Sequence, residues 1–402
     1  MSSKTPLSRA IPPLVLGCAA FSKQFHPDPP KMPYVQVIRR ALELNVAAFD
    51  TSPYYGPSEI LLGDALKTLR PPREKCFLIT KAGRIVADQF DYSPEWIRYS
   101  VYRSLDRLGT NYLDLVYTHD AEFVSPSEVL AAVTELRRLR DQGLIRYVGI
   151  SGYPVETLAS LAEMILRETG EPLDAVMSYG HLCIQNMRLA NPELLQRFSD
   201  AGVDCIPNAS ILGMGLLTTR GVDAGPMAYW HPAPPPLRKT CKDLGAIAEA
   251  HGEDMTEVAL RFALQTWART GSAFGSHNAV PSERLGVCVL GVAVPEELEE
   301  SARLWKSVVS GLTGANEDDA KKIDKITALV QDKMWPSLGS WKDYSWDSPD
   351  AGWINTRNPM GLIPVDEVAT KWGLVQQSSS ADRPRYRWRL LLCMGSVFGH
   401  GL

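Results

Sequence analysis

The 402-residue sequence has no long apolar run and no excess of basic charge. No stretch reaches the roughly 18 consecutive apolar residues that suggest a membrane span. Prolines interrupt the short apolar run near the N-terminus, so we predict neither a membrane span nor a signal peptide. The formal net charge is -4, with 42 Lys and Arg against 46 Asp and Glu. Because nucleic acid and anionic membranes attract basic surfaces, neither is an expected partner.

Cysteine motifs are also missing, as is the glycine pattern of a Rossmann site. The seven cysteines are scattered and odd in number, and none has CxxC or Cys/His ligand spacing. A disulfide framework and a metal site are therefore not predicted, and free thiols favour a reducing, cytoplasmic location. No GxGxxG follows the first apolar strand, which argues against a Rossmann dinucleotide site.

What the sequence does contain, from residue 13 to about 311, is an alternation of short apolar runs and amphipathic helical segments. Such alternation is typical of βαβ units. Eight units close most naturally into a (β/α)8 TIM barrel whose active site lies at the C-terminal ends of the strands, with a doubly wound sheet as the alternative. The strand candidates are 14–21, 46–52, 76–83, 113–120, 145–152, 175–183, 204–212 and 286–292.

Helix ends carry recognisable signals. Ser58, Ser93 and Ser125 precede helical segments as predicted N-caps, each with an acidic residue in the first turn. Gly109, Gly143, Gly170 and Gly202 are predicted to end helices in the left-handed conformation.

Two regions interrupt the repeat. Residues 266–286 are rich in Gly and Ser, and we interpret them as an inserted or mobile loop within a barrel domain of residues 1–334. Residues 335–402 form a C-terminal extension without periodicity until YRWRLLLCMGSVFGHGL, and the sequence predicts no role for them.

Four residues with catalytic chemistry lie at or just beyond the ends of three successive strands. Asp50 ends the second strand, Tyr55 follows it, Lys81 ends the third and His119 the fourth. A desolvated ammonium needs an anion, and Asp50 is the expected partner of Lys81. Each residue alone has a structural explanation: a turn cap, loop packing, a salt bridge or a core histidine. Together, at a barrel mouth, they indicate a catalytic site.

DTSPYYGPSEILLG, ITKAG, SLDRLGTNYLDLVYTHD and GLIRYVGIS resemble, in order, segments of the aldo-keto reductases. The resemblance covers residues 13 to 311. It implies that Tyr55 exchanges a proton with the substrate, that Lys81, held by Asp50, lowers the pKa of Tyr55, and that His119 orients or polarises the substrate. The chemistry is consistent with this, because a phenol with a pKa of about 10 needs a neighbouring cation to work near neutral pH.

The same resemblance implies a nicotinamide cofactor along the later strands. Where NADP-preferring members carry a basic residue this chain has Val294, so we predict NAD, with NADP less favoured. The family's usual Asn after Ser151 is Gly152, and Ala209 replaces a tyrosine that often stacks on nicotinamide. The predicted cofactor contacts are Ser151, Ser178, Ser210, Leu212, Gly213, Gly215, Gly291, Ala293 and Ser301.

Within the family, GISGYP, MSYGHLC and NASILGMGLLT resemble the branch of NAD-linked sugar dehydrogenases that oxidise D-arabinose or L-galactose at C1 to the aldonolactone, which in fungi feeds erythroascorbate synthesis. The predicted partner is a small sugar or aldehyde. Two alternatives stay open: an NADPH-dependent reductase of aldehydes such as pyridoxal, and a non-catalytic cofactor-binding regulatory subunit. The complete set of four residues disfavours the second.

Overall fold

The computed structural model describes residues 5–280 and 283–375, and its centre is a closed barrel of eight parallel strands. Each strand pairs with its neighbours in the chain, and the first pairs with the last, Leu14 opposite Cys288 and Gly17 opposite Gly291. The predicted barrel is confirmed and the doubly wound alternative is wrong. The strands are β1 (Leu14–Gly17), β2 (Ala48–Asp50), β3 (Phe77–Ala82), β4 (Leu113–His119), β5 (Ile145–Gly152), β6 (Ala175–Tyr179), β7 (Asn208–Ala209) and β8 (Cys288–Gly291).

Side-chain alternation along each strand divides the core into two layers. Inward-facing residues such as Val15, Ile79, Leu115 and Tyr117 fill the barrel, while the intervening residues pack against the surrounding helices. The helices are α1 (Tyr34–Glu43), α2 (Ser58–Leu69), α3 (Pro94–Leu108), α4 (Pro126–Asp141), α5 (Val155–Thr169), α6 (Pro192–Asp200), α7 (Pro235–Ala250), α8 (Met255–Thr270), α9 (Pro295–Leu312) and α10 (Glu317–Leu329). In the part of the chain that the structure describes, no helix has the length and apolarity to cross a membrane.

Two of the three predicted N-caps are present. Ser93 accepts the backbone N–H of Trp96, and Ser125 forms a reciprocal capping box with Glu128. Ser58 is instead the first helical residue, because its hydroxyl donates to Cys18 O at 2.8 Å and so ties α2 to the loop after β1. The four predicted terminal glycines all have positive φ, as a left-handed helix end requires.

Residues 266–286, predicted as an inserted or mobile loop, contain regular secondary structure. Their first residues complete α8, and a hairpin pairs Ser276–Val280 with Glu283–Leu285. The hairpin contacts the N-terminal segment, where Ser276 Oγ donates to Ile11 O at 2.5 Å. Two of the glycines allow close backbone contacts, because Gly275 lies against Leu285 O and Gly286 against Trp267 O, where no side chain fits.

The predicted boundary at residue 334 falls inside a continuous helical stretch. A π-helical turn, Val330–Met334, continues α10 into α11 (Trp335–Leu338). After it, residues 341–357, which we name the strap, cross the C-terminal end of the barrel. Gln185 binds the start of the strap by donating to the carbonyls of Trp341 and Tyr344, at 2.8 and 2.9 Å.

Farther along, aromatic and polar contacts hold the strap over β4 and β5. Trp346 stacks on Tyr153 with 4.6 Å between ring centroids, and Ser348 donates to Glu122 at 2.8 Å. Trp353 packs edge-on against Phe123 at 4.9 Å. The strap thus covers one side of the barrel mouth.

Beyond the strap the chain descends along α3. It forms a short helix, α12 (Glu367–Lys371), whose N-cap Asp366 accepts the phenol proton of Tyr99 at 2.6 Å. Trp372 then stacks on Tyr102 with centroids 4.3 Å apart. The apolar segment near the C-terminus that the sequence singles out lies outside the described residues.

Candidate active site

The register of β2 to β5 brings four polar side chains together at the barrel mouth. Asp50, Lys81 and His119 each lie two residues beyond an inward-facing residue of the core, and His119 is directly opposite Ser151. All four are buried, with exposed fractions of 5% or less. Parallel strands end at the same side of a barrel, so these side chains converge although they are far apart in sequence.

Lys81 and Asp50 form a buried ion pair. Lys81 Nζ donates to Asp50 Oδ1 at 2.6 Å and to Thr51 O at 3.0 Å. Burial raises the pKa of Asp50, although Lys81 opposes this. Burial lowers the pKa of Lys81, but the charges of Asp50 and Tyr55 outweigh it and the net pKa is raised. Lys81 therefore remains protonated across the physiological range.

Tyr55 lies on the loop after β2, with its ring beside both Lys81 and His119. The ring centroid is 4.8 Å from Lys81 Nζ and 5.6 Å from the His119 ring. Burial raises the pKa of Tyr55 to about 12, while Lys81 lowers it and Asp50 and Asp120 raise it. The expected effect of Lys81 is present, but in the protein alone it is smaller than the cost of burying a phenolate.

His119 is neutral and held through one ring nitrogen. Burial lowers the pKa of His119 to about 3, with Asp120 opposing the shift. Its Nδ1 lies 2.9 Å from Ser52 Oγ, which accepts the backbone N–H of Tyr54 at 3.1 Å. When Ser52 Oγ donates its proton to Nδ1, the ring proton of His119 lies on Nε2, which is then a hydrogen-bond donor.

On the opposite side of the mouth the inward positions carry small residues. These are Gly17 of β1, Ala209 of β7 and Gly291 of β8. A Cβ built on Gly291 would come no closer than 4.0 Å to its nearest neighbour, Gly17 O, so the space above it is open. Small residues on this side leave space for the nicotinamide ring that the sequence predicts.

The loop after β7 has an unusual backbone. Ser210, Gly213, Met214 and Gly215 all have positive φ, at 54°, 58°, 54° and 102°. Leu212, by contrast, has φ -96°, and the loop closes on itself, because Gly213 N–H donates to Ser210 O at 2.8 Å and Gly215 N–H donates to Leu212 O at 3.1 Å. His231 Nε2 lies 3.0 Å from Gly213 O and fixes the loop. The predicted cofactor contacts of this segment stay a prediction.

Two of the serines predicted to contact the cofactor differ in orientation. Ser151 faces the barrel interior, with its hydroxyl donating to Thr118 O at 3.0 Å. Ser178 lies on the outer face of β6, donates to Tyr153 O at 3.0 Å and is 3.0 Å from His181 Nδ1. Ser178 therefore supports the loop after β5 and does not point into the mouth.

The predicted adenosine contacts lie at the start of α9. Ala293 donates its backbone N–H to Glu297 Oε2 at 2.7 Å, and Ser301 donates to Glu297 O at 2.8 Å within the helix. Val294 is the N-cap residue, and the first helical turn contains Glu296 and Glu297. Two carboxylates and a backbone donor therefore lie at this helix end, and the first turn of α9 has no basic residue.

Sequence reasoning missed Ser52, Arg84, Asp120 and Glu122, which complete the mouth. The rule that located Lys81 and His119 applies to three of them, because Arg84 follows β3, Asp120 follows β4 directly and Ser52 follows β2. No local signal marks Glu122. Its role depends on packing against β5 and the strap.

Glu122 occupies the space beside Gly152, the position at which the resemblance predicts an asparagine. A Cβ on Gly152 would lie 2.2 Å from Glu122 Oε2, so the carboxyl group occupies the space of that side chain. Glu122 Oε1 accepts from Tyr153 N and Ser348 Oγ, at 2.9 and 2.8 Å. Burial, and then the charge of Asp120, raise the pKa of Glu122 to about 8.

A closed parallel barrel that gathers an aspartate, a lysine, a histidine and a tyrosine at its C-terminal end has the architecture of a (β/α)8-barrel enzyme. Comparison with known proteins makes this specific. Residues 13–326 match the model of the Aldo/keto reductase family, and the chain belongs to this family. It is an oxidoreductase that uses a nicotinamide cofactor.

Two curated relatives are similar over most of their length. The chain is 38% identical to D-arabinose 1-dehydrogenase of Saccharomyces cerevisiae over 322 residues, 79% of this chain and 90% of the relative. It is 30% identical to L-galactose dehydrogenase of Arabidopsis thaliana over 306 residues, 75% of this chain and 86% of the relative. The solved glycerol dehydrogenase of Gluconobacter oxydans has the same fold, with TM-score 0.54 and 20% identity over 86% of this chain and 98% of that one.

Proposed function

We propose that this protein oxidises an aldose, D-arabinose or L-galactose, at C1 to the aldonolactone with NAD⁺. The observation that carries the proposal is the convergence of Asp50, Tyr55, Lys81 and His119 at one barrel mouth. The two curated relatives, named as dehydrogenases of these sugars, support the choice of substrate.

In the proposed reaction Tyr55 is the general base. As a phenolate it takes the proton of the C1 hydroxyl, and C1 becomes the lactone carbonyl carbon as its hydride leaves with the bonding electrons. When bound, the nicotinamide cofactor supplies the hydride acceptor. Lys81 stabilises the phenolate by charge, because its raised pKa keeps it protonated, and Asp50 fixes its position at 2.6 Å.

His119 positions the reacting oxygen. Its neutral ring, with the proton on Nε2, offers one donor to the oxygen on C1 without adding a competing positive charge. Because Ser52 occupies Nδ1, the ring cannot rotate without losing that hydrogen bond. The donor therefore keeps its direction during proton and hydride transfer.

The preference for NAD follows from the charges at the start of α9. The 2′-phosphate of NADP would meet Glu296 and Glu297 in the first turn of that helix. Arg40, which reaches α9 from α1, is already bound by Glu299 and Glu43, at 2.6 and 2.9 Å. The 2′-hydroxyl of NAD lacks the charge that these carboxylates repel.

We also place the protein in the cytoplasm. The six described cysteines are free and buried, an arrangement that suits a reducing compartment. The seventh, Cys393, lies outside the described residues.

The first test follows absorbance at 340 nm with purified protein, NAD⁺ or NADP⁺, and D-arabinose, L-galactose, L-fucose or D-glucose. We expect NADH formation with D-arabinose or L-galactose, and loss of it in Tyr55→Phe. No activity with any sugar, together with NADPH oxidation in the presence of pyridoxal or simple aldehydes, would identify the protein as a reductase instead. No activity in either sugar oxidation or aldehyde reduction, with cofactor still bound, would support the regulatory role.

A further inference from the structure

A buried ion pair at the mouth has no part in the reaction as described. Arg84, which follows β3, donates through Nη1 to Oδ2 of Asp120, which follows His119. The side chains are 15% and 4% exposed. A buried pair of this kind costs desolvation energy and contributes little net stability, so its retention calls for another explanation.

Arg84 keeps an unused donor. Its guanidinium lies 3.8 Å from the centroid of the Tyr54 ring, and its Nε is sealed from solvent with no hydrogen-bond partner among residues 5–280 and 283–375. Buried donors without partners are rare in proteins, because the hydrogen bonds to water that they lose are not replaced. Asp120 also has a left-handed backbone, with φ 56°, which is uncommon for a residue other than glycine.

The Arg84–Asp120 pair lies next to His119 Nε2, the atom proposed to donate a hydrogen bond to the reacting oxygen. Asp120 Oδ2 is 3.7 Å from His119 Nε2, too far for a direct hydrogen bond but near enough for one substrate hydroxyl to lie beside both. The Tyr54 ring under Arg84 is 5.6 Å from the His119 ring and 6.2 Å from that of Tyr55. Arg84 and Asp120 therefore border the space next to the reacting carbon.

We propose that Asp120, held in place by Arg84, binds the hydroxyl on C2 of the aldose, the carbon next to the one that is oxidised. An Asp120 carboxylate oxygen accepts the proton of this hydroxyl, and Arg84, which donates to Asp120, fixes the position of that carboxylate. This inference rests on the proposed aldose oxidation and names a determinant of its specificity.

The test compares D-arabinose with 2-deoxy-D-ribose, which is D-arabinose without its C2 hydroxyl. The ratio of the two kcat/KM values isolates that hydroxyl, because losses of folding or of proton transfer affect both sugars alike. A hydrogen bond to a charged group predicts a ratio of about 10 to 100 for the wild type. In Arg84→Met and in Asp120→Asn we expect the ratio to fall toward one.

The matched control is Arg98→Met. Arg98 pairs with Glu135 at 2.7 Å between α3 and α4, away from the mouth, so this variant should keep the wild-type ratio. A wild-type ratio near one would overturn the inference. So would variants in which both sugars lose activity equally at an unchanged ratio, because the pair would then be structural.

Failure of the proposed function looks different. In that case the wild type oxidises no aldose with either cofactor. The ratio of kcat/KM for reduction of glycolaldehyde to that of acetaldehyde then takes the place of the sugar ratio, because these aldehydes differ only by the hydroxyl next to the carbonyl. A wild-type preference for glycolaldehyde that Arg84→Met abolishes supports the subsite without aldose oxidation, and an unchanged preference refutes it.

Discussion

Replacing Glu122 with glutamine should change the pH dependence of stability between pH 5 and pH 8. Glu122 as a residue is partly exposed, but its Oε2 is sealed from solvent and lacks a partner in the described part of the chain. Burial raises the pKa of Glu122 from 4.5 to about 8. Glutamine has nearly the same shape and can still accept from Tyr153 N and Ser348 Oγ through its amide oxygen.

The sign and size follow from proton binding. Between pH 4.5 and 8 the folded protein holds a proton on Glu122 that the unfolded chain has lost, because its folded-state pKa is the higher one. The free energy of unfolding therefore falls as the pH rises through this window and levels off above it. At about 1.4 kcal/mol per pKa unit, the total is about 3 to 5 kcal/mol. Glu122→Gln, which does not titrate, escapes this loss.

The assay is urea unfolding of both proteins at intervals from pH 5 to pH 9. Relative to the wild type, Glu122→Gln should gain stability steadily up to about pH 8. Glu253→Gln is the control: burial raises the pKa of Glu253, but Lys322 and Lys325 outweigh it and the net pKa is lowered, so its stability difference should stay constant above pH 5. A constant difference for Glu122→Gln as well would mean that Glu122 is ionised in the folded protein, and would refute the reasoning.

Three further changes test the site. Tyr55→Phe should lower kcat by at least about 100-fold, while cofactor binding, followed by tryptophan fluorescence, is retained. In the wild type, log kcat/KM for oxidation should rise with pH, because the base form of Tyr55 is the active one and its pKa is raised to about 12 in the protein alone; a flat profile would contradict this role. Val294→Arg should improve kcat/KM with NADP⁺ relative to NAD⁺, and an unchanged ratio would mean that α9 does not bind the adenosine end. Gly152→Ala should cost about 1–3 kcal/mol of stability by displacing Glu122, and less in a Glu122→Ala background, as thermal unfolding would measure.

The strands could be predicted because burial on both faces gives short apolar runs, and all eight predicted runs contain a barrel strand. The lengths of the strands could not be predicted in this way. The seventh run is predicted over 204–212, but β7 is only Asn208–Ala209, preceded by Pro207, which has no N–H to donate to a neighbouring strand.

The pairing of Asp50 with Lys81 follows from their positions on adjacent strands, so sequence order suffices to predict it. The net pKa of Tyr55 does not follow in this way. It depends on how completely the surrounding loops bury the phenol, which only the packed structure determines. The strap is a similar case, because its contacts, such as Trp346 on Tyr153, join distant segments without any periodic pattern.

The route of the strap has a consequence for the order in which the protein is completed during synthesis. The ribosome releases β1 first, but the barrel closes only when β8 emerges to pair with it. The strap leaves the ribosome later still, so the strand ends that form the mouth are assembled before the strap can cover them. A chain that ends before the strap would retain the paired strands that hold Lys81 and Asp50 while leaving one side of the mouth open to water. Such a truncated form would separate catalytic chemistry from the shielding of the substrate.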